Sequence, residues 1–169
     1  VGALTGVGIW FSTSLVNPYA IGSLIRVFYW AWFFEWIVFV TEVILILAYF
    51  LLWKKMEGEK KSLHIALGVV LSIASWLTMA IIVGILGYMM DVGNWNEGEG
   101  LLPAFINPVY LPQLAFRTPL AMATAGMFAL FLTYFFTEKG SHFQLKAMRF
   151  ISLWSVAWVP LCLAGGLWY

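Results

Sequence analysis

The chain has 169 residues, of which 63% are hydrophobic and 10% charged, with a mean hydropathy of +0.91. Soluble domains carry roughly 25% charged residues, so the composition excludes an ordinary soluble protein and makes the lipid bilayer the first partner. A net charge of +1, with basic residues confined to short clusters at the ends of apolar runs, excludes a nucleic-acid partner, and the single Cys162 excludes an internal disulfide or a cysteine-built metal centre.

The chain begins at Val1, already apolar, and is expected to be an interior or processed piece of a longer protein. Val1 to Val16 lacks the basic start and cleavage site of a signal peptide. It reads as a short or truncated helix whose Gly2 and Gly6 form a GxxxG pair suited to close helix approach. Asn17-Pro18 then interrupts it. The run from Leu24 to Trp53 exceeds the about 20 apolar residues that a bilayer span needs, and it holds two acids, Glu35 and Glu42. These are seven residues apart, which on a helix is two turns, so both face one side about 10 Å apart along the axis.

Lys54, Lys55, Lys60 and Lys61 follow in a polar turn. A third helix is expected from Leu63 to Met90, with Ser72, Ser75 and Thr78 as small polar positions. Asp91 to Pro112 reads as one long loop containing acids but no Lys or Arg. A fourth helix runs from Gln113 to Thr137, with Arg117, Pro119 and a small-residue face at Ala121 and Ala125, and a fifth from Phe143 to Trp168. No internal repeat interrupts this order. The fold class is therefore all-α: a polytopic transmembrane helical bundle with four full spans plus a short N-terminal helix, forming a single membrane domain over 1–169.

Basic residues alternate from turn to turn. Loops 54–62 and 138–147, with Lys54, Lys55, Lys60, Lys61, Lys139 and Lys146, are expected in the cytoplasm, and loop 91–112 outside an inner (cytoplasmic) membrane.

Four charged side chains fall inside these expected spans: Arg26, Glu35, Glu42 and Arg117. A charged residue at the centre of a span costs at least about 2.5 kcal/mol and is a functional candidate by default. Glu35 and Glu42 suit proton transfer, or a structural hydrogen bond between helices. Arg26 and Arg117 suit an anionic group such as a haem propionate or a carboxylate partner; the alternatives are that Arg26 snorkels to the headgroups and that Arg117 pairs with a backbone carbonyl or another subunit. His64 and His142 fall at the cytoplasmic edge and read as interfacial histidines; Met89, Met90, Met122 and Met127 read as apolar filler. No zinc spacing, phosphate loop or nucleophile elbow occurs, so no metal ligand set is expected.

The stretch Ala31-Trp32-Phe33-Phe34-Glu35 resembles the span of the cytochrome bd quinol oxidase large subunit in which an aromatic run ends in a proton-pathway glutamate. His64 through Gly87-Tyr88-Met89-Met90 is similar to the next helix of that family. Asn107-Pro108-Val109, with Thr124-Ala125-Gly126-Met127 after it, is similar to the Asn-Pro-Val segment and the haem-binding helix that follows, and Thr5-Gly6 fits a Thr-Gly of the helix before. The order covers nearly the whole chain. Where the family has a second glutamate at the oxygen-reducing haem, this chain has Val27, and its axial histidine would fall at Phe116 or Arg117.

The resemblance thus implies a bd-like membrane subunit that has lost at least one haem site or exchanged it for another arrangement. It implies membership of a respiratory, quinone-linked electron-transfer complex, with quinol as substrate, haem in the complex, and other membrane subunits and a redox partner beside it. Any enzymatic activity would be that of an oxidoreductase acting as part of the complex. A cofactor-free structural subunit anchoring a redox partner is the alternative.

Overall fold

The computed structural model describes residues 2–56, 58–96 and 99–169, with the side chains at 2–6, 9 and 59 excepted. The packing of the Gly2 and Gly6 pair and of Thr5 therefore lies outside the described residues. The fold is all-α. Its helices are α1 (Gly2–Val16), α2 (Pro18–Val27), α3 (Tyr29–Leu52), α4 (Lys61–Met90), α5 (Leu101–Phe105), α6 (Tyr110–Phe136) and α7 (His142–Trp168), with two short 3₁₀ turns, Lys54–Met56 and Gly58–Lys60, between α3 and α4.

Four of these, α3, α4, α6 and α7, have 24, 30, 27 and 27 residues and are long and apolar enough to cross a membrane. At about 1.5 Å per residue each exceeds the roughly 30 Å hydrocarbon core. The protein is accordingly multi-pass. It divides into two compact units, Val1–Ile85 and Leu86–Tyr169.

In the first unit, the run expected as one span from Leu24 to Trp53 is two helices. Asn17 caps α2 by accepting the Ala20 N–H at 3.1 Å, and Pro18 occupies its first turn, where a missing N–H costs nothing. Phe28, at φ −103° and ψ 23°, separates α2 from α3 while its own N–H still reaches the Leu24 carbonyl. No proline or glycine marks this break. Leu24, Phe28 and Ala31 are buried on either side of it, with Phe28 fully so, and the bend is held by that burial. As a consequence Arg26 belongs to α2 and not to the spanning helix, so the rise along α3 does not measure its depth.

Along α3 the residues Ala31, Glu35, Val38, Glu42, Leu45 and Tyr49 are covered or half-covered, whereas Phe33, Phe34, Trp36, Ile37, Phe39 and Ile44 are exposed. This 3–4 spacing is one helical face, and both glutamates lie on it. At the end of that face Tyr49 stacks on His64 of α4, with ring centroids 4.1 Å apart, and Trp53 meets the same histidine edge-on at 5.0 Å. Gly68 leaves the room for Tyr49, since a Cβ there would come within 3.1 Å of the ring.

In the second unit, α6 and α7 form an antiparallel hairpin. Gly126 faces Ser155, and Gly165 lies against the Ala115 and Phe116 backbone, while the Trp154 indole N–H donates to the Met122 carbonyl at 3.3 Å. The small-residue face at Ala121 and Ala125 is exposed in this unit; the contact with α7 is made a fraction of a turn away, at Gly126. Buried Gln144 ties the hairpin shut. Its amide nitrogen donates to the Thr133 and Tyr134 carbonyls and its oxygen accepts the Gly140 N–H at 2.8 Å, so it satisfies the frayed end of α6.

The segment 91–112 is also more ordered than a single loop. It contains α5, and α6 starts at Tyr110, ahead of the expected Gln113. Asn107 is the reason. Buried, it donates to the Phe105 carbonyl at 3.2 Å and accepts from Val109 N–H at 3.2 Å, an Asx turn that starts α6 early. Its amide also fills the space above Gly87, and Gly93, at φ +58°, sits against Pro108.

Candidate functional site

The acids of α3 have different surroundings. Glu42, near mid-helix, receives two hydroxyls from α4: Ser75 Oγ donates to its Oε1 at 2.7 Å, and Thr78 Oγ1 lies 3.1 Å from its Oε2. Ser75 and Thr78 are three residues apart on one face of α4, each opposite a different carboxyl oxygen. Ser72 instead turns its hydroxyl back to the Gly68 carbonyl of its own helix. The polar cluster is thus a carboxyl and two hydroxyls inside two apolar spans.

Glu35 sits two turns nearer the start of α3, half-buried, and no hydrogen bond or ion pair holds it among the described residues. One turn before it, Trp32 keeps its indole N–H buried without an acceptor and meets Trp10 edge-on at 4.9 Å. The structure therefore brings Glu42, Ser75 and Thr78 together and leaves Glu35 on the same stripe, about 10 Å along the axis from Glu42.

Arg26, in the same unit, does not join this cluster. Arg26 is exposed in the last turn of α2, where a cation complements the negative end of the helix. Arg117 is exposed on α6, seven residues from its start, and makes no ion pair among the described residues.

The haem that the family resemblance implies finds a poor fit at the histidine of the first unit. Both ring nitrogens of His64 are buried and unpartnered, under Tyr49 and Trp53, so neither lone pair faces a space that a porphyrin could enter. In the second unit the Met90 sulfur already accepts from Gln113 Nε2 at 3.0 Å and from the Tyr169 hydroxyl at 3.4 Å. His142, first residue of α7, is exposed. An apolar groove of about 320 Å³ between α6 and α7, lined by Ala115, Pro119, Trp158, Leu161 and Trp168, offers shape without a reactive group.

Sequence reading found Ser75 and Thr78 as polar positions but did not join them to Glu42. The signal was their three-residue spacing in an otherwise apolar helix. Gln113, 1% exposed at the start of α6, was missed. A comparison with known protein families, with curated proteins and with solved structures gives no match to this chain. The chemistry of the chain's own residues therefore carries the functional argument.

Proposed function

We propose that the chain is a subunit of a respiratory, quinone-linked electron-transfer complex in which Glu35 and Glu42 carry protons along α3. The observation that supports this reading is the pair of carboxyls on the one covered face of a membrane-long helix, one of them clasped by Ser75 and Thr78. An acid in a span needs a task or a partner; Glu42 has hydrogen-bond partners, and Glu35 stands ready to exchange a proton. On this reading Arg117 and Arg26 each meet an anionic group of a neighbouring subunit or cofactor, which accords with their exposure and their lack of an ion pair among the described residues. The lysine-bearing turns 54–62 and 138–147 lie in the cytoplasm and segment 91–112 outside the inner membrane. On this reading His64 is not a ligand of any haem in the complex, because both its nitrogens are buried against Tyr49 and Trp53.

A pyridine haemochrome spectrum and a quinol oxidation assay on the purified complex, with wild type and Glu35→Gln compared, test the reading. Turnover is expected to fall in the variant with haem content unchanged; equal turnover removes the proton role of Glu35.

The sealed nitrogens of His64 also favour a second reading, a cofactor-free subunit that anchors a redox partner. It would be recognised by a complex that keeps its haem spectrum and turnover in Glu35→Gln but loses its partner when this chain is deleted.

A further inference from the structure

The hydroxyl of Thr78 lies 3.1 Å from two acceptors, Glu42 Oε2 and the carbonyl oxygen of Ala74 one turn back in its own helix. A threonine hydroxyl carries one hydrogen and two lone pairs, so it donates to one of these oxygens at a time. With Glu42 ionised, Thr78 donates to Oε2, and the Ala74 carbonyl keeps the helical N–H of Thr78 as its partner. With Glu42 protonated on Oε2, the carboxyl O–H donates to Thr78 Oγ1, and the threonine hydrogen turns to the Ala74 carbonyl. Ser75 donates to Oε1 in both states.

We infer that Thr78 is a positioning residue for proton exchange at Glu42: a two-position donor that leaves no polar hydrogen or carboxyl oxygen of the cluster unpaired in either protonation state. The inference rests on the proton-carrying role proposed for Glu42. Its balance is simple. One proton is taken up from water onto Oε2 and later returned, one hydroxyl rotates, and no other bond is made or broken. The charged and titratable groups around the cluster are few. On α3 the next is Glu35, two turns away, and α4 carries no acid or base between His64 and Tyr88. In such surroundings the carboxyl's partners are the hydroxyls of Ser75 and Thr78, and of these Thr78 is the one seen with a second acceptor in reach, which gives it its importance.

The test is infrared difference spectroscopy of the full chain in lipid nanodiscs, between alkaline and acidic buffer, with the Glu42 carboxylic band assigned by its loss in Glu42→Gln. In wild type and in Thr78→Ser the band is expected at the lower frequency of a carboxyl that donates a hydrogen bond. In Thr78→Val and in the smaller Thr78→Ala it is expected to shift to the higher frequency of a carboxyl without that acceptor. An unchanged band in both of these variants overturns the inference while leaving proton exchange at Glu42 intact. The absence of any Glu42-dependent carboxylic band in wild type overturns both the inference and the proton role of Glu42.

Discussion

Ser75 sends its hydroxyl across to Glu42, 33 residues earlier in the chain, at 2.7 Å, while Ser72 on the same helix keeps its own hydroxyl at home. One serine spans two helices and the other serves only its own. Ser75→Ala is expected to destabilise the first unit by about 1–3 kcal/mol, the cost of a buried acceptor left without its donor. Glu42→Leu removes the acceptor as well, so the double variant should be less unstable than the two single effects added together. Thermal unfolding of the four proteins in one detergent provides the cycle; strict additivity would deny the contact.

The α6–α7 hairpin depends on glycine at one position and tolerates a larger residue at the next. A Cβ on Gly165 would lie 2.5 Å from the Ala115 carbonyl oxygen, against backbone that cannot turn aside, whereas one on Gly166 meets only the Phe116 ring at 3.3 Å. Gly165→Ala is expected to cost about 1–3 kcal/mol through overpacking, and Gly166→Ala to lie within about 0.5 kcal/mol of wild type. Melting temperatures of the pair read the difference directly.

Gln144 bridges the end of α6 to the start of α7 with three hydrogen bonds. Gln144→Leu keeps the size and removes the bonds. The loss should be about 1–3 kcal/mol, accompanied by faster amide hydrogen exchange at Gly140, whose N–H loses its acceptor.

His64→Phe preserves the stack on Tyr49 and the edge contact with Trp53 while deleting both nitrogens. The haemochrome spectrum of the complex is expected to be unchanged by this substitution. A lost or displaced haem band would show that His64 ligates iron after all.

Orientation can be read with single cysteines in a Cys162→Ser background. A membrane-impermeant maleimide is expected to label Asn94→Cys on intact cells and Lys60→Cys only after the cells are opened. The reverse pattern would invert the proposed topology.

The spans were legible in the sequence because apolar runs of this length leave little choice: α3, α4, α6 and α7 each contain most of the expected stretch. The shared face of Glu35 and Glu42 followed from helix periodicity alone. What the sequence concealed depends on contacts between distant residues. The break at Phe28 carries no proline or glycine and exists because an aromatic ring is buried there. The early start of α6 follows the Asx turn that Asn107 makes with the Val109 N–H. The partners of Glu42 require the register of α3 against α4, which no local pattern encodes. The contact of α6 with α7 was hidden for the same reason: Ala121 and Ala125 form a small-residue face, but Gly126 is the residue turned toward α7.

The back-bonded hydroxyls have a bearing on how the chain enters the bilayer. Ser72, Thr124, Thr133 and Ser155 each donate to a carbonyl four residues before them, so their helices bring these groups into lipid already satisfied. Glu42 is the exception in the first unit. Its donors belong to a helix synthesised later, and until α4 emerges the carboxyl of α3 has neither Ser75 nor Thr78 to meet it. Biogenesis is thereby coupled across the turn 54–62: α3 and α4 are most stable in the membrane when they arrive as a hairpin.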